Sequence, residues 1–297
     1  MRWLPLLLIC ACTRTREPSP DSQVEPLPPP RTDLVPAIGS DATLEIATWN
    51  IENFPARGST ASVVADIIAS LALDIVVTEE IANEAAWSEL TTRLAATHDA
   101  VLSTHQYSEN DYQKLGVIYR RDLVTAGEVE LLFTTNSYAF PRPPLMLPVT
   151  VDGNTIELVG VHLKAGLETD DSERRQRAIE ALDARFRTQV DGGGEADIVL
   201  LGDYNERVTD SFGQAVLAPL LTAPDRYTLR TEPAATAGEV TYLGFGGSFI
   251  DHITTTASLD ALWPTATTQV IDLRTAVPGY RDTVSDHLPV VLIAPRQ

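Results

Sequence analysis

Six short clusters of acid, amide and imidazole residues punctuate this chain, and each adjoins an apolar run. Leu44–Trp49 leads into Asn50 and Glu52, Ile75–Val77 into Glu79 and Glu80, and Ile156–Val161 into His162 and Lys164. Ile198–Leu201 leads into Asp203 and Asn205, and Phe249–Ile250 into Asp251 and His252. The sixth cluster, Ser285-Asp286-His287, is the mirror image, because it precedes the run Leu288–Ile293. Buried strands have no use for such groups at their ends, whereas a reaction centre does. Asn50 and Glu80, with Glu52 or Glu79 nearby, supply hard oxygen donors suited to Mg²⁺, Mn²⁺ or Ca²⁺. No histidine pair has zinc-motif spacing, which disfavours that metal. Asp203 and Asn205 are two apart and share a side if the strand continues, so the acid can orient a water while the amide holds a phosphate oxygen. His162 and His287 can stabilise or protonate phosphoryl oxygens, and Asp251 can fix the tautomer of one imidazole. Together these are parts for metal-assisted attack of water on a phosphate ester. Singly each residue has a plainer role, Glu80 as a solvated acid or Asn205 as a turn former, and only the ordered set points to chemistry.

The elements that must position these groups interleave along the chain. Ser59–Leu73 places Val63, Val64, Ile67, Ile68 and Leu71 on one helical face. Asn83–Ala96 carries acids early and Arg93 late, which suits the helix dipole. Ser172–Val190 has Ile179, Leu182, Phe186 and Val190 at helical spacing before Gly192-Gly193-Gly194, and Ser211–Leu221 is a weaker fourth helix. Lys114–Tyr119, Glu128–Phe133, Leu145–Val151, Glu157–Val161, Ile198–Leu201 and Pro289–Ile293 are expected strands. With no internal repeat and no second linker, residues 43–297 are expected to form one α/β domain with a mixed sheet.

Upstream of that domain the composition changes. Met1-Arg2 followed by Leu4–Ile9 has the character of a secretory leader, and Ile9-Cys10-Ala11-Cys12 of a lipoprotein processing site. The expectation is a signal peptide over 1–11, a lipid anchor on Cys12 and an exported, membrane-anchored protein; ordinary cleavage and secretion is the alternative. The apolar stretch is too short to span a bilayer. Residues 12–42, with Pro26, Pro28, Pro29 and Pro30, are expected to be an extended tether. Both cysteines of the chain lie in the leader, which excludes disulfides and thiolate metal sites from the folded region. The formal charge of −19 excludes a reliance on general electrostatic attraction to polyanions. Any phosphate must be held by local positive groups or a metal.

Thr48-Trp49-Asn50-Ile51-Glu52, the stretch Asp74–Ile81, Val161-His162-Leu163-Lys164, Gly202-Asp203-Tyr204-Asn205, Ile250-Asp251-His252-Ile253 and Ser285-Asp286-His287-Leu288-Pro289 resemble, in order, the motifs of the endonuclease/exonuclease/phosphatase superfamily. That superfamily includes pancreatic deoxyribonuclease, abasic-site endonucleases, bacterial sphingomyelinases and inositol-polyphosphate 5-phosphatases. The resemblance runs from about residue 44 to residue 293. It implies a four-layer α/β sandwich, two packed mixed sheets flanked by helices, with the site at one edge. It implies that Glu80 is the principal metal ligand, supported by Asn50 and Asp286, with Mg²⁺ the expected ion and Mn²⁺ or Ca²⁺ as alternatives. By the same carry-over Asp203 orients the water, Asn205 binds phosphate, Asp251 pairs with His287, and His162 matches a second histidine of the deoxyribonuclease and sphingomyelinase branches. Arg142, in Phe140–Leu145, and Lys164 stand where members contact phosphate, although a surface salt bridge is an equally good role for Arg142. Arg174-Arg175-Gln176 also follows secreted bacterial members. The departures are Glu79 for a glutamine, Tyr204 for a phenylalanine, and Gln113 near an acid that supports the first histidine. Glu52, Glu79, Lys164 and His252 are the members that can be neighbours only, His252 being expected on the opposite face of its strand.

The expectation is therefore an exported divalent-metal phosphodiesterase, a monomer, acting on nucleic acid. A phosphoesterase for lipid head groups or small phosphate esters is the alternative, and Tyr242-Leu243-Gly244-Phe245 is the one short segment fit to touch a membrane. A catalytically silent binding module is a third reading, disfavoured because none of the expected catalytic positions is lost.

Overall fold

Alternation along the strands decides where the polar clusters go. The computed structural model describes residues 27–297, so the expected signal peptide, Cys12 and the first part of the expected tether lie outside the described residues. The chain begins with β1 (Thr43–Phe54), α1 (Thr60–Leu71), β2 (Ile75–Ile81), α2 (Glu84–Leu94), β3 (His98–Leu102) and β4 (Lys114–Arg120). There follow β5 (Thr125–Ala126), β6 (Glu130–Leu131), β7 (Leu145–Val151), β8 (Asn154–His162), α3 (Thr169–Asp191) and β9 (Ile198–Asp203). Next come α4 (Ser211–Val216), α5 (Ala218–Leu221), β10 (Tyr227–Leu229), α6 (Glu232–Thr236), β11 (Asp251–Thr256), α7 (Ala257–Leu262), β12 (Thr267–Val270), α8 (Tyr280–Thr283) and β13 (Val290–Pro295). The strands form two mixed sheets, ordered β12-β13-β1-β2-β4-β3 and β10-β11-β9-β8-β7-β5, with β6 paired to β7.

Ile46, Val77, Leu158, Leu201 and Ile253 meet between the sheets in one apolar layer. Their alternate neighbours Ala47, Trp49 and Val76 pack outward beneath α1 and α2, and Val159, Val161 and Leu200 pack outward beneath α3. This is the expected four-layer sandwich. Because side chains alternate along a strand, the inward set Ile46, Thr48, Asn50 continues to the site, as do Leu158, Gly160, His162 and Val199, Leu201, Asp203. The two central sheets approach closely here: a side chain at Gly160 would lie 2.7 Å from Val77. Gly202, at φ 147°, touches Val161 so closely that no other residue fits.

Several elements differ from expectation for identifiable reasons. Ser211–Leu221 breaks into α4 and α5 at Leu217, because Pro219 lacks the N–H that a continuous helix needs. Glu128–Phe133 contributes only the two-residue edge strand β6. Phe249–Ile250 does not form a strand that ends at Asp251; Asp251 opens β11, which runs antiparallel to β9 and so starts at the edge where β9 stops. The chain after Asp203 does not continue extended either. Asn205 has φ 54° and its N–H bonds the Asp203 side chain, so the two residues share the site through a turn rather than a strand face.

The expected tether also changes character. Residues 27–42 have no helix or strand, but from Arg31 onward they lie along α1 as a strap. Arg31 N–H donates to Asp66, Leu34 N–H to Ser70, and the N–H groups of Ile38 and Gly39 to the Leu71 carbonyl. The packed body thus begins near Arg31 rather than at Thr43. The strap helps bury Glu45, which is 0% exposed, and neither of its carboxyl oxygens has a hydrogen-bond partner. Burial, with Asp74 alongside, lifts its carboxyl from 4.5 to about 8. The folded chain therefore holds a proton that the unfolded chain releases above its ordinary value. The associated stability is complete below about pH 4.5 and is lost as pH rises towards 8, at most ~1.4 kcal/mol per pH unit. Glu45→Gln should flatten that part of the stability curve and melt at a higher temperature than the parent at pH 9. Thermal unfolding of both proteins at pH 5, 7 and 9 reads it directly, and parallel curves would refute the assignment.

Candidate active site

The inward polar positions converge at one edge of the sandwich, in a cleft of about 500 Å³ bordered by Glu52, Glu80, His162, Asp203, Asp286 and His287. Glu80 reaches it by a local irregularity. On alternation alone it would follow Val76 and Thr78 to the outer face, but the register of β2 shifts against both neighbours and Glu80 takes φ 64°. Such a bulge re-aims one side chain at the expense of regular pairing. The Glu80 carboxylate then accepts from Asn50 Nδ2 at 3.2 Å and from the Asn53 backbone N–H at 2.8 Å.

Asn50 ties the two sheets together. Its Nδ2 also donates to Asp203 Oδ2 at 3.1 Å, while its oxygen accepts the Glu52 N–H at 3.0 Å. The Asn50 amide N–H group thus faces the carboxylates and braces them. Burial raises the Asp203 carboxyl to about 7, with Asp251 adding to the rise and His287 opposing it. His287 Nδ1 lies 2.9 Å from Asp251 Oδ2, and its Nε2 lies 4.0 Å from Asp203 Oδ2. Burial favours a neutral ring, but the charge and hydrogen bond of Asp251, with Asp203 and Asp286, overcome it and lift His287 to about 10. The ring is an imidazolium at neutral pH, with its free N–H towards the cleft.

The main chain of this last segment is pinned to β1. Ser285 Oγ donates to the Asn50 carbonyl and accepts the His287 N–H, and Tyr280 links Trp49 to the His287 carbonyl. Glu52 Oε2 accepts the Asp286 N–H at 3.0 Å. Glu52 therefore belongs to the cleft rather than only beside it; the sequence signal was its place two residues beyond Asn50. Glu79, by contrast, is fully buried between the sheets against Thr48, and that burial pushes its carboxyl well above the ordinary range. His252 faces outward as expected, bonded to Thr231 and the Glu206 carbonyl.

Two expectations about positive groups are corrected. Arg142 turns inward, donating to the carbonyls of His162 and Leu163, to Tyr107 and to Gln113. It braces the end of β8 and presents no fork to the cleft. Lys164 pairs with Asp171 at 2.8 Å at the start of α3. His162 does not carry a proton to spare: burial, then Arg142 and His287, hold it well below its ordinary range. Its Nε2 lies 3.6 Å from Glu80 and 3.7 Å from Asp203, while Nδ1 is buried without a partner; Gln113 is bonded to Arg142 and Asn53.

Residues 47–287 match the Endonuclease/Exonuclease/phosphatase family. The chain belongs to it. An Endonuclease/Exonuclease/phosphatase chain is a metal-dependent phosphoesterase, a hydrolase of phosphate esters. Solved structures show the same fold at low identity. D. rerio TDP2 complexed with single strand DNA product has TM-score 0.64 and 17% identity over 85% of this chain and 99% of that one. An endonuclease/exonuclease/phosphatase from Bacteroides vulgatus has TM-score 0.63 and 17% identity, covering 86% and 99%. The 3' phosphatase NExo from Neisseria, bound to product DNA hairpin, has TM-score 0.59 and 19% identity, covering 84% and 98%. No curated protein matches the chain.

The divalent metal that the family uses finds a fitting donor set here. Glu52, Glu80 and Asp286 bring three carboxylates to the open cleft. Burial raises the first and last, and the repulsion of their acidic neighbours raises them further, a stress that a bound cation relieves. Asp203, Asp251 and His287 also lie within 4.8 Å of one another. In that group the imidazole nitrogen nearest Asp251 is already hydrogen-bonded, so it is the weaker candidate for a metal. Among the described residues no helix is long and apolar enough to cross a membrane.

Proposed function

We propose that this phosphoesterase is an exported nuclease that hydrolyses phosphodiesters of nucleic acid. The observation that carries the proposal is the Asn50 amide, which holds the Glu80 and Asp203 carboxylates side by side, opposite the His287–Asp251 pair. Glu80, with Glu52 and Asp286, would hold the divalent ion, Mg²⁺ foremost and Mn²⁺ or Ca²⁺ as alternatives. That ion supplies positive charge to the phosphate and its leaving oxygen.

The protein's own groups divide the remaining work. Asp203, lifted towards neutrality, takes the proton of the attacking water as a new P–O bond forms. His287 donates a hydrogen bond to a phosphoryl oxygen, and Asp251 fixes its ring and charge. Asn205, at the turn after Asp203, has a side-chain N–H beyond the one given to the Leu163 carbonyl and would hold another phosphate oxygen. His162, whose Nε2 lies 3.6 Å from Glu80 and 3.7 Å from Asp203, would offer its ring N–H to a phosphate oxygen placed beside them. The bond to the leaving alkoxide then breaks.

Nucleic acid as substrate is supported by the DNA recorded with two of the similar structures. Export, a lipid anchor on Cys12 and a monomeric state rest on the sequence alone. Esters of lipid head groups form the second reading, favoured by Phe245, an apolar tip at the cleft mouth. Plasmid, single-stranded DNA, RNA, sphingomyelin and a small phosphodiester, each assayed with Mg²⁺, Mn²⁺, Ca²⁺ or chelator, separate them. Nucleic-acid hydrolysis that stops with chelator and returns with metal is expected, and Glu80→Gln should need more metal for the same rate. Turnover of lipid alone would overturn the nuclease assignment.

A further inference from the structure

Two apolar side chains stand almost wholly in solvent at the mouth of the cleft: Phe245 is 99% exposed and Leu167 97%. Isolated apolar residues on a surface are ordinary. These two differ because both border the same cleft and both ride on braced loops. Phe245, at φ 48° between Gly244 and Gly246, tips a tight turn closed by reciprocal backbone bonds between Tyr242 and Ser248 and by Gly247 N–H to the Gly244 carbonyl. The turn is tied to the catalytic segment by Leu243 N–H to the Asp286 carbonyl, and the Tyr242 ring lies 5.0 Å from that of His287. Leu167 follows Gly166, whose carbonyl accepts from Arg175, and precedes the capping box of Glu168 and Asp171. Backbone braced in this way has little freedom left to lose on binding.

The charges around them narrow the ligand. Besides the His287 imidazolium two arginines line the cleft, Arg175 held by buried Glu206 and Arg207 in a surface pair with Asp210. Arg142 and Lys164 are turned away. A run of phosphates would therefore meet few cations beside the carboxylates of Glu52, Glu80, Glu206 and Asp286, in a chain of formal charge −19. A duplex offers such a cleft phosphates and sugars, with its base faces stacked inside. An unpaired nucleotide offers one phosphate and an apolar face.

Resting on the assignment of the site as a nuclease, we propose that Phe245 and Leu167 are specificity residues that grip the unpaired base beside the scissile phosphate, so that the enzyme acts on single strands and frayed ends. Stacking of this kind contributes ~1–3 kcal/mol per base. The test uses the full chain with Mg²⁺, a short single-stranded oligonucleotide and the same strand annealed to its complement. The single strand should be the better substrate, and the slope of log(kcat/KM) against log[salt] should be no steeper than about −1. Phe245→Ala should raise KM for the single strand about tenfold, with a smaller change in kcat; Leu167→Ala should do so less strongly, and Phe245→Trp should restore the parent value. Phe212→Ala, an exposed phenylalanine outside the cleft lining, should leave the kinetics unchanged. Cleavage of the single strand with a KM indifferent to Phe245, or a preference for the duplex, overturns the grip and leaves the nuclease assignment standing. Failure of the parent protein to cleave any strand removes the assignment itself. Loss of binding to phosphatidylcholine vesicles in Phe245→Ala, with strand kinetics intact, gives the tip to a lipid surface and also overturns the proposal.

Discussion

Asp203→Asn should lower kcat by about 10³-fold, within the range for loss of a positioned general base, while lowering the melting temperature only modestly. The substitution keeps the shape of the side chain and an oxygen to accept the Asn205 N–H, but sets an amide N–H group against the Asn50 Nδ2 that Asp203 now accepts. It removes a group that can take up the proton of water. It also removes an ionisable carboxyl that burial and Asp251 already push towards its neutral form, so the folded state gives up little. A purely structural acid would show the opposite pattern, activity retained and stability lost. Activity within tenfold of the parent would end the case for Asp203 as the base.

His287→Ala is expected to lower kcat by 10²–10³-fold, on the order seen when one donor to a developing oxyanion is removed. It should also destabilise the fold by about 3–5 kcal/mol, because Asp251, 1% exposed, is left as a buried charge without its partner. Asp251→Asn removes the charge that holds the ring protonated and oriented, so it should cost much of the same activity. If the two act as a unit, His287→Ala with Asp251→Asn should be no slower than His287→Ala alone, and should recover part of the lost stability. A double-mutant cycle on kcat and on urea unfolding measures both couplings. Losses that simply multiply would separate the residues and refute the pairing.

What the sequence could and could not reveal divides along physical lines. The apolar alternation that carries Ile46 and Thr48 to Asn50, or Val199 and Leu201 to Asp203, is a local pattern, so the site positions on those strands were legible. The helices α1, α2 and α3 were legible for the same reason. Glu80 needed more, since only the bulge in β2 brings it to the cleft. The positive groups were the least legible. Nothing near Arg142 in sequence says that carbonyls twenty residues on will take up its guanidinium, and the partner of Lys164 lies across a loop. A cation's usefulness depends on which acceptors have already claimed it, which is a property of the folded whole. Asp251 was assigned to the correct cluster from the wrong end, because an apolar pair before a polar residue looks alike whether a strand is finishing or about to start.

The strap over α1 has a consequence for how the molecule can be handled and displayed. Its last backbone bonds are to Leu71, at the end of α1, and it passes into β1 at Thr43, whereas the cleft lies at the other end of β1, beyond Asn50. Arg31 itself docks on Asp66, midway along α1, so anything joined upstream of it leaves over the flank of a helix that supplies no residue to the cleft lining. A fusion partner or an affinity resin at that position would leave the mouth of the cleft uncovered.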